Sequence, residues 1–506
     1  MHSLFQNVRP YGGFERGAAL LILGFLAVRL VTSAFMPLIA DEAYTVVVTR
    51  FPTLSYFDHP PLGFDFARFS AWLFGSEAPF VVRLPHVLMG SLSAWLIFLV
   101  TRRAFGARAG FWAVAAYSIA PFFFVSAGHF VVPDGPLNLF ILLALWLVLP
   151  DLLGEQAPNA KRWLLAGLAL GAALLSKYTA VLFGVGAFAA LAATPRGRRL
   201  LGTPWPWATG AIALACMKPV LVWNIQHHWA SFGFQSGRAQ GGSLNPLGFL
   251  EVQLGQALFL LPWVWAPALW AVWRGLLRPR LEAERVFALL AAAPIATFGV
   301  ISLFGTSQLA HWAMPGFLFA FPLVGLWCTG LPGRTLRIGY GGSTALLGAA
   351  ALLATLQAHD NFVTRTLHLP PRPGFDWTIL PWDALAADFA ARGIITDPDS
   401  YIVPTSWIIG GKAGHALGPD LPVAAPPFDP RQFAFMHDPR LPARGSGYMV
   451  IAAWPQALDA AGKELSRLIA AANAPAYRPN GAPWTVTETR GGETVFVVLV
   501  QPVARK

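Results

Sequence analysis

The sequence predicts an α-helical polytopic membrane protein with about eleven transmembrane helices and a soluble C-terminal α/β domain. Three observations predict it. Of 506 residues, 55% are hydrophobic and 12% are charged, about half the charged share of an ordinary soluble domain. The apolar residues fall in runs of roughly 18 to 25, the length a helix needs to cross a hydrocarbon core of about 30 Å. Beyond Ala358 the long runs stop and Pro, Gly, Asp and Arg rise.

The first span runs from about Gly17 to Ile39, behind a short segment carrying Arg9 and Arg16. It is too long for the apolar region of a cleavable signal peptide, so it reads as an uncleaved helix entering from the cytoplasm. A polar first loop, 41–78, follows. Within it Leu62 to Phe74 places Phe64, Phe66, Phe69, Trp72 and Leu73 at helical spacing, a pattern suited to the membrane interface. Further spans read as Pro79–Val100, Gly110–Ala127, Gly135–Leu149, Trp163–Ser176, Ala180–Ala193, Pro204–Trp223, Phe249–Trp273, Val286–Phe304, Trp312–Cys328 and Gly339–Leu356. Trp163 to Ala193 reads either as two short helices or as a re-entrant pair around Lys177 and Tyr178. Residues 1–357 thus form the transmembrane domain and 358–506 the soluble one. In the latter, Ser446–Ala453 and Thr485–Val500 read as strands and Pro455 to Ala472 as a helix.

Charge orients the spans. With the N-terminus inside, the inner loops hold Arg102, Arg103 and Arg108; Lys161 and Arg162; Arg196, Arg198 and Arg199; Arg274, Arg278, Arg280 and Arg285; and Arg334 and Arg337. The outer loops hold only Arg50, Arg68, Lys177 and Arg238. This is the bias expected when Lys and Arg stay cytoplasmic. The net charge of +11 is therefore a topology signal, not a nucleic-acid footprint. Cys216 and Cys328 lie in apolar runs and give no disulfide framework.

The acids carry the functional reading, because an ionisable group near a membrane face is costly to place. Asp41 and Glu42 follow the first span. Asp58 and His59 sit in Tyr56-Phe57-Asp58-His59-Pro60-Pro61, where paired prolines stiffen the backbone. Asp134 lies in the turn Val132-Pro133-Asp134-Gly135, near His129. On this topology all emerge on the outer side, together with Lys177, Tyr178, Asn224, His227, His228, Arg238 and His311. Three carboxylates meeting in one aqueous pocket is the expectation. Bland alternatives exist: Asp134 as a helix N-cap, Lys177 snorkelling, His227 and His228 as a wet loop. No Gly-rich phosphate loop, zinc spacing or Ser-His-Asp order is present.

At Asp41-Glu42-Ala43-Tyr44, YFDHPPL and VPDGPL the chain resembles the GT-C glycosyltransferases of the protein mannosyltransferase and aminoarabinose transferase superfamily, most closely their bacterial branch. LLSKYTAVLF, PVLVWNIQHHWASFGFQ, GGKAGHALGPDLPV and DPRQFAF add to the likeness, which is stronger up to about residue 240. The resemblance implies a GT-C fold, a polyprenyl-phosphate-linked sugar donor, a lipid or glycan acceptor such as lipid A, and a site on the periplasmic face of the bacterial inner membrane. It implies catalytic roles for Asp41, Asp58 and Asp134. The position before the prolines, usually lysine in aminoarabinose transferases, is His59 here, which shifts the duty of a fixed cation toward Lys177 or Arg238.

The chemistry asks for the same residue types. Carboxylates favour an oxocarbenium-like transition state, and a base such as Asp41 removes the acceptor proton. Glu42, His59, Lys177, Tyr178, Arg238 and His311 are the expected donor-phosphate and substrate contacts. A divalent metal ion held by Asp41, Asp58, Asp134 and His227 is an alternative means of neutralising the leaving group. A transporter, which would show mid-membrane polar groups and internal repeats, and a structural envelope protein are the competing classes; neither accounts for the clustered acids.

Overall fold

The structure is a computed structural model that describes residues 12–154, 157–239, 241–304, 309–369, 376–442, 445–471 and 477–505. Arg9 and Ala472, the expected helix end, lie outside the described residues. Among those described, seven helices are long and apolar enough to cross a membrane: Gly13–Phe35, Pro79–Phe105, Asp134–Leu152, Trp205–Gln226, Glu282–Phe304, Ala310–Cys328 and Gly333–Asp360. Three bent helix pairs raise the number to as many as ten. The expected span Trp163–Ser176 is the 17-residue helix Ala160–Ser176. The chain is a multi-pass membrane protein.

The bends have identifiable causes. Pro246–Leu260 and Pro262–Leu277 meet at 110°, which corrects the single span expected over Phe249–Trp273. Pro262 supplies no N–H and drives the preceding residue out of the helical region; Leu261 accordingly sits at φ 70°. Ala180–Ala193 and Pro195–Leu201 also meet at 110°, and Ala107–Ile119 and Phe122–His129 at 81°. In the last case a π-helix, Phe122–Ser126, follows the bend. Arg29, buried in the first helix, donates to the carbonyls of Phe123 and Phe124, both at 3.1 Å. The guanidinium thus satisfies carbonyls in an irregular segment that lipid would leave unpaired.

The chain divides into two compact units, one of Met1–Leu30, His59–Gly63 and Pro85–Gly348, the other of Val31–Asp58, Phe64–Leu84 and Ala349–Lys506. In the first, Met314–Cys328 packs against Ala107–Ile119, Pro262–Leu277 and Glu282–Phe304, and Ala160–Ser176 lies against both Asp134–Leu152 and Trp205–Cys216.

The second unit is built on a five-stranded sheet: β1 (Ser400–Pro404), β2 (Ser446–Ala453), β3 (Tyr477–Pro479), β4 (Trp484–Arg490) and β5 (Glu493–Arg505). The order is β1-β2-β5-β3, with β4 also paired to β5. β1 and β2 run parallel and the other pairs antiparallel. The strand expected over Thr485–Val500 is therefore a hairpin, turned at Gly491 and Gly492, both at positive φ, as tight hairpin turns demand.

Tyr44, Val47, Val48, Tyr56 and Phe64 of the first loop share one apolar core with Trp382, Phe389, Ile402, Val450 and Phe496 of the C-terminal region. The loop and the sheet fold as one body. Helix Trp407–Ala416 lies directly on helix Ala40–Thr49, and a Cβ at Gly411 would fall 2.6 Å from the Tyr44 nitrogen. Because that neighbour is backbone, Gly411→Ala is expected to cost about 1–3 kcal/mol. A lowered unfolding midpoint of the detergent-solubilised protein checks it.

Candidate active site

The first polar cluster lies in the second unit. The opening helix ends at Phe35, and a new one, Ala40–Thr49, begins one residue before Asp41. Asp41 and Glu42 therefore stand in a first turn, where the helix dipole favours negative charge, and not at a helix end. The two acids differ in environment. Glu42 is fully buried: it accepts from Arg83 Nε at 2.8 Å, from Arg83 Nη2, and from the Ile39 amide at 3.1 Å. The Asp41 carboxylate stays accessible. Desolvation by the surrounding protein raises its pKa above the usual carboxylate range; Arg431 pulls it down in part, and Glu42 adds to the rise.

Asp58 is 4% exposed. The Tyr44 hydroxyl donates to one of its oxygens, and Arg431 Nη1 reaches the other at 3.3 Å. The Gln432 amide donates to the Tyr44 hydroxyl at 3.0 Å, and the Phe57 amide donates to Gln432 Oε1 at 2.7 Å. Arg431 lies 3.9 Å over the Trp407 ring, and its backbone, like that of Asp429, has a positive φ. Two non-glycine residues in that region, on either side of Pro430, are strain of the kind that clusters at functional sites. Burial raises the Asp58 pKa, while Arg431 and the Tyr44 hydroxyl hold it down. Arg431 and Tyr44 were not among the expected site residues, although DPRQFAF and the first-loop motif contain them.

The chain passes from the second unit to the first at the Asp58–His59 peptide bond. His59 is half-buried. Four residues on, a Cβ at Gly63 would lie 2.9 Å from Pro133 Cβ and 3.1 Å from the Ser176 carbonyl. The HPPLG segment thus packs against the residues immediately preceding Asp134 and Lys177, an approach only glycine allows.

Asp134 and Lys177 form the second cluster. Lys177 Nζ bonds both Asp134 oxygens, at 2.9 and 2.8 Å, and both side chains are buried. Asp134 opens helix Asp134–Leu152 without a side-chain capping bond, so the N-cap alternative gives way to the ion pair. Lys177 is the extended break after Ala160–Ser176. His311 lies in electrostatic range of Lys177, Asp134 and Arg238. Arg238 sits 5.1 Å over Trp312 and 5.4 Å over Phe234. Tyr178 bonds Ser231 at 2.8 Å. His227 bonds the Trp223 carbonyl through Nδ1 at 2.7 Å and stacks on the Trp223 ring.

No group of three or more His, Cys, Asp or Glu converges among the described residues. Asp58 and Asp134 are each matched to a cation, and one His227 nitrogen is engaged by a carbonyl.

Comparison with known proteins agrees with this picture. The family model of dolichyl-phosphate-mannose-protein mannosyltransferase matches residues 58–223. Lipid A galacturonosyltransferase RgtD of Rhizobium johnstonii is 27% identical over 364 residues, 68% of this chain and 72% of that protein. Two crystal structures of ArnT from Cupriavidus metallidurans share the fold. The apo form aligns with TM-score 0.61 at 17% identity, and the form bound to undecaprenyl phosphate with TM-score 0.61 at 15%; each alignment covers 95% of this chain and 97% of ArnT. With the helical architecture, the matched family model and the curated relative in accord, the chain has the GT-C fold seen in ArnT and is a glycosyltransferase similar, over residues 58–223, to the dolichyl-phosphate-mannose-protein mannosyltransferases.

Proposed function

We propose that the protein transfers a sugar from a polyprenyl-phosphate carrier to lipid A or a related envelope acceptor, at the periplasmic face of the bacterial inner membrane. The observation that carries the reading is the matching of cation to buried carboxylate in two places, Arg431 with Asp58 and Lys177 with Asp134. The relative that modifies lipid A and the fold-mate bound to undecaprenyl phosphate support the choice of acceptor and donor.

In the reaction the acceptor hydroxyl loses its proton to Asp41, and its oxygen bonds the anomeric carbon. The bond from that carbon to the phosphate oxygen breaks, and polyprenyl phosphate leaves with the electron pair. An accessible carboxylate with a raised pKa suits a base working near neutral pH. Asp58, oriented by Tyr44 and Arg431, stabilises the positive charge that develops on the sugar ring. In the first unit Lys177, held by Asp134, and Arg238, with His311, Tyr178 and His59, offer cations and donors suited to a phosphate. Glu42 has both oxygens committed to Arg83 and Ile39 and acts through the backbone.

The acid limb of kcat/KM reports the carboxylates. Activity falls as pH drops through their raised pKa values, because protonation removes the base and the stabilising charge. Arg431→Met takes away the group that lowers both, so the limb is expected to move to higher pH. A pH–rate profile of the variant checks the direction. Mass spectrometry of lipid A and of envelope glycoproteins from a strain lacking the gene tests the function itself. Loss of one sugar from lipid A supports the reading, loss from a protein transfers it to a protein acceptor, and unchanged spectra overturn it.

A further inference from the structure

The GGKAGH segment has no part in the chemistry assigned above, yet it contains a buried lysine. Lys412 is 4% exposed, on helix Trp407–Ala416. The absence of side chains at Gly411 and Gly414 brings this helix against Tyr44 and Val47 of the helix that begins beside Asp41. Lys412 Nζ then donates to the Leu38 carbonyl at 2.7 Å, and also approaches the Ile379 carbonyl at 3.5 Å.

Arg83 reaches the same short linker from another helix. Its Nη1 donates to the Met36 carbonyl and its Nη2 to the Pro37 carbonyl, both at 2.7 Å. The Glu42 carboxylate, itself held by Arg83, accepts the Ile39 amide. Each of the four consecutive residues Met36, Pro37, Leu38 and Ile39 therefore gives one backbone polar group to a buried ionisable side chain. This four-residue linker joins the first helix to the one carrying Asp41, so whatever fixes it fixes the direction in which Asp41 emerges.

Stability alone would not favour such an arrangement. Burying an ammonium or guanidinium group is costly, and apolar side chains of similar volume often stabilise a core more. The cost shows in Lys412: burial lowers its pKa to about 7, with Glu42 opposing that shift and Arg83 adding to it. The lysine adds directed hydrogen bonding to the linker backbone.

We infer that Lys412 is a positioning residue for sugar transfer, which with Arg83 and Glu42 clamps Met36–Ile39 and thereby sets the placement of Asp41. This rests on Asp41 acting as the base. The device works through geometry, so it governs turnover and not donor capture.

The test is steady-state transfer by the full-length protein in proteoliposomes, from a radiolabelled polyprenyl-phosphate sugar to lipid A, comparing wild type, Lys412→Met and Lys412→Arg. Misplacing a catalytic group by about 1 Å costs on the order of 10²-fold. Lys412→Met is expected to lose about that much in kcat with donor KM within threefold, and Lys412→Arg, which keeps a long donor, to recover most of it. Lys412→Met at wild-type kcat, Lys412→Arg as poor as Lys412→Met, or a loss confined to donor KM each overturns the inference. If Lys412→Met is not recovered folded, Lys412→Gln replaces it under the same criteria, and failure of both neutral variants to fold makes Lys412 a folding element only and also overturns it. Absence of transfer by the wild type is a different failure, that of the proposed function.

Discussion

Asp58→Asn is expected to lower kcat/KM for sugar transfer by about 10³-fold, the upper range for removing one preorganised electrostatic group. The substitution keeps the shape of the side chain and an oxygen that can accept from the Tyr44 hydroxyl. It removes only the negative charge facing the developing oxocarbenium character. A 10³-fold loss corresponds to about 4 kcal/mol of transition-state stabilisation. Stability should change little, because the Arg431 guanidinium keeps Asp429 at 3.4 Å and the Trp407 ring. Initial-rate assays together with a thermal unfolding scan check the pair of expectations. A large drop in unfolding midpoint with kcat preserved would reassign Asp58 to a structural role.

The second large effect belongs to Lys177. Lys177→Met leaves the Asp134 carboxylate buried without the cation that bonds both its oxygens. Breaking a buried pair from one side costs about 3–5 kcal/mol, enough to unfold much of a marginally stable protein. The double variant Asp134→Asn/Lys177→Met removes the orphaned charge and should recover most of that stability. It should not recover transfer, since the ammonium assigned to the donor phosphate is gone. A double-mutant cycle read by both unfolding and activity separates the two roles. Recovery of activity along with stability would show that the pair only holds the fold.

The sequence made part of this site legible through contrast. Against a background so poor in charge, Asp41, Asp58, Asp134 and Lys177 stand out, and the charge-oriented topology leads one to expect them on one face. Helix Leu62–Phe74 was readable for a similar reason: its aromatic spacing depends on no distant partner. What escaped depends on contacts made across long stretches of chain. Arg431 reaches Asp58 from 373 positions away, and nothing local distinguishes it from a surface arginine. Arg29 and Arg83 lie inside apolar runs and read as parts of spans, because their acceptors, backbone carbonyls and for Arg83 also the Glu42 carboxylate, come from elsewhere in the chain.

Glu42 illustrates the same limit. As an acid beside Asp41 it reads as a substrate contact, but the arginine that claims it comes from the next long helix. The break at Leu261 was visible as a proline but masked by the apolar run that continues through it, whereas the hairpin was announced by a glycine pair set in the polar stretch Thr487–Thr494. The sheet's dependence on first-loop side chains had no sequence signal at all, since Tyr44, Val47 and Val48 carry only the pattern of a short buried helix.

The most direct test of the account is single-turnover transfer by the purified, reconstituted enzyme, supplied with radiolabelled polyprenyl-phosphate sugars and lipid A, wild type beside Asp41→Asn. The account predicts label in lipid A with the wild type, and at least a 10²-fold slower chemical step with the asparagine variant while donor binding is retained. Transfer at an undiminished rate by Asp41→Asn, or no transfer by the folded wild type from any donor sugar offered, would contradict it.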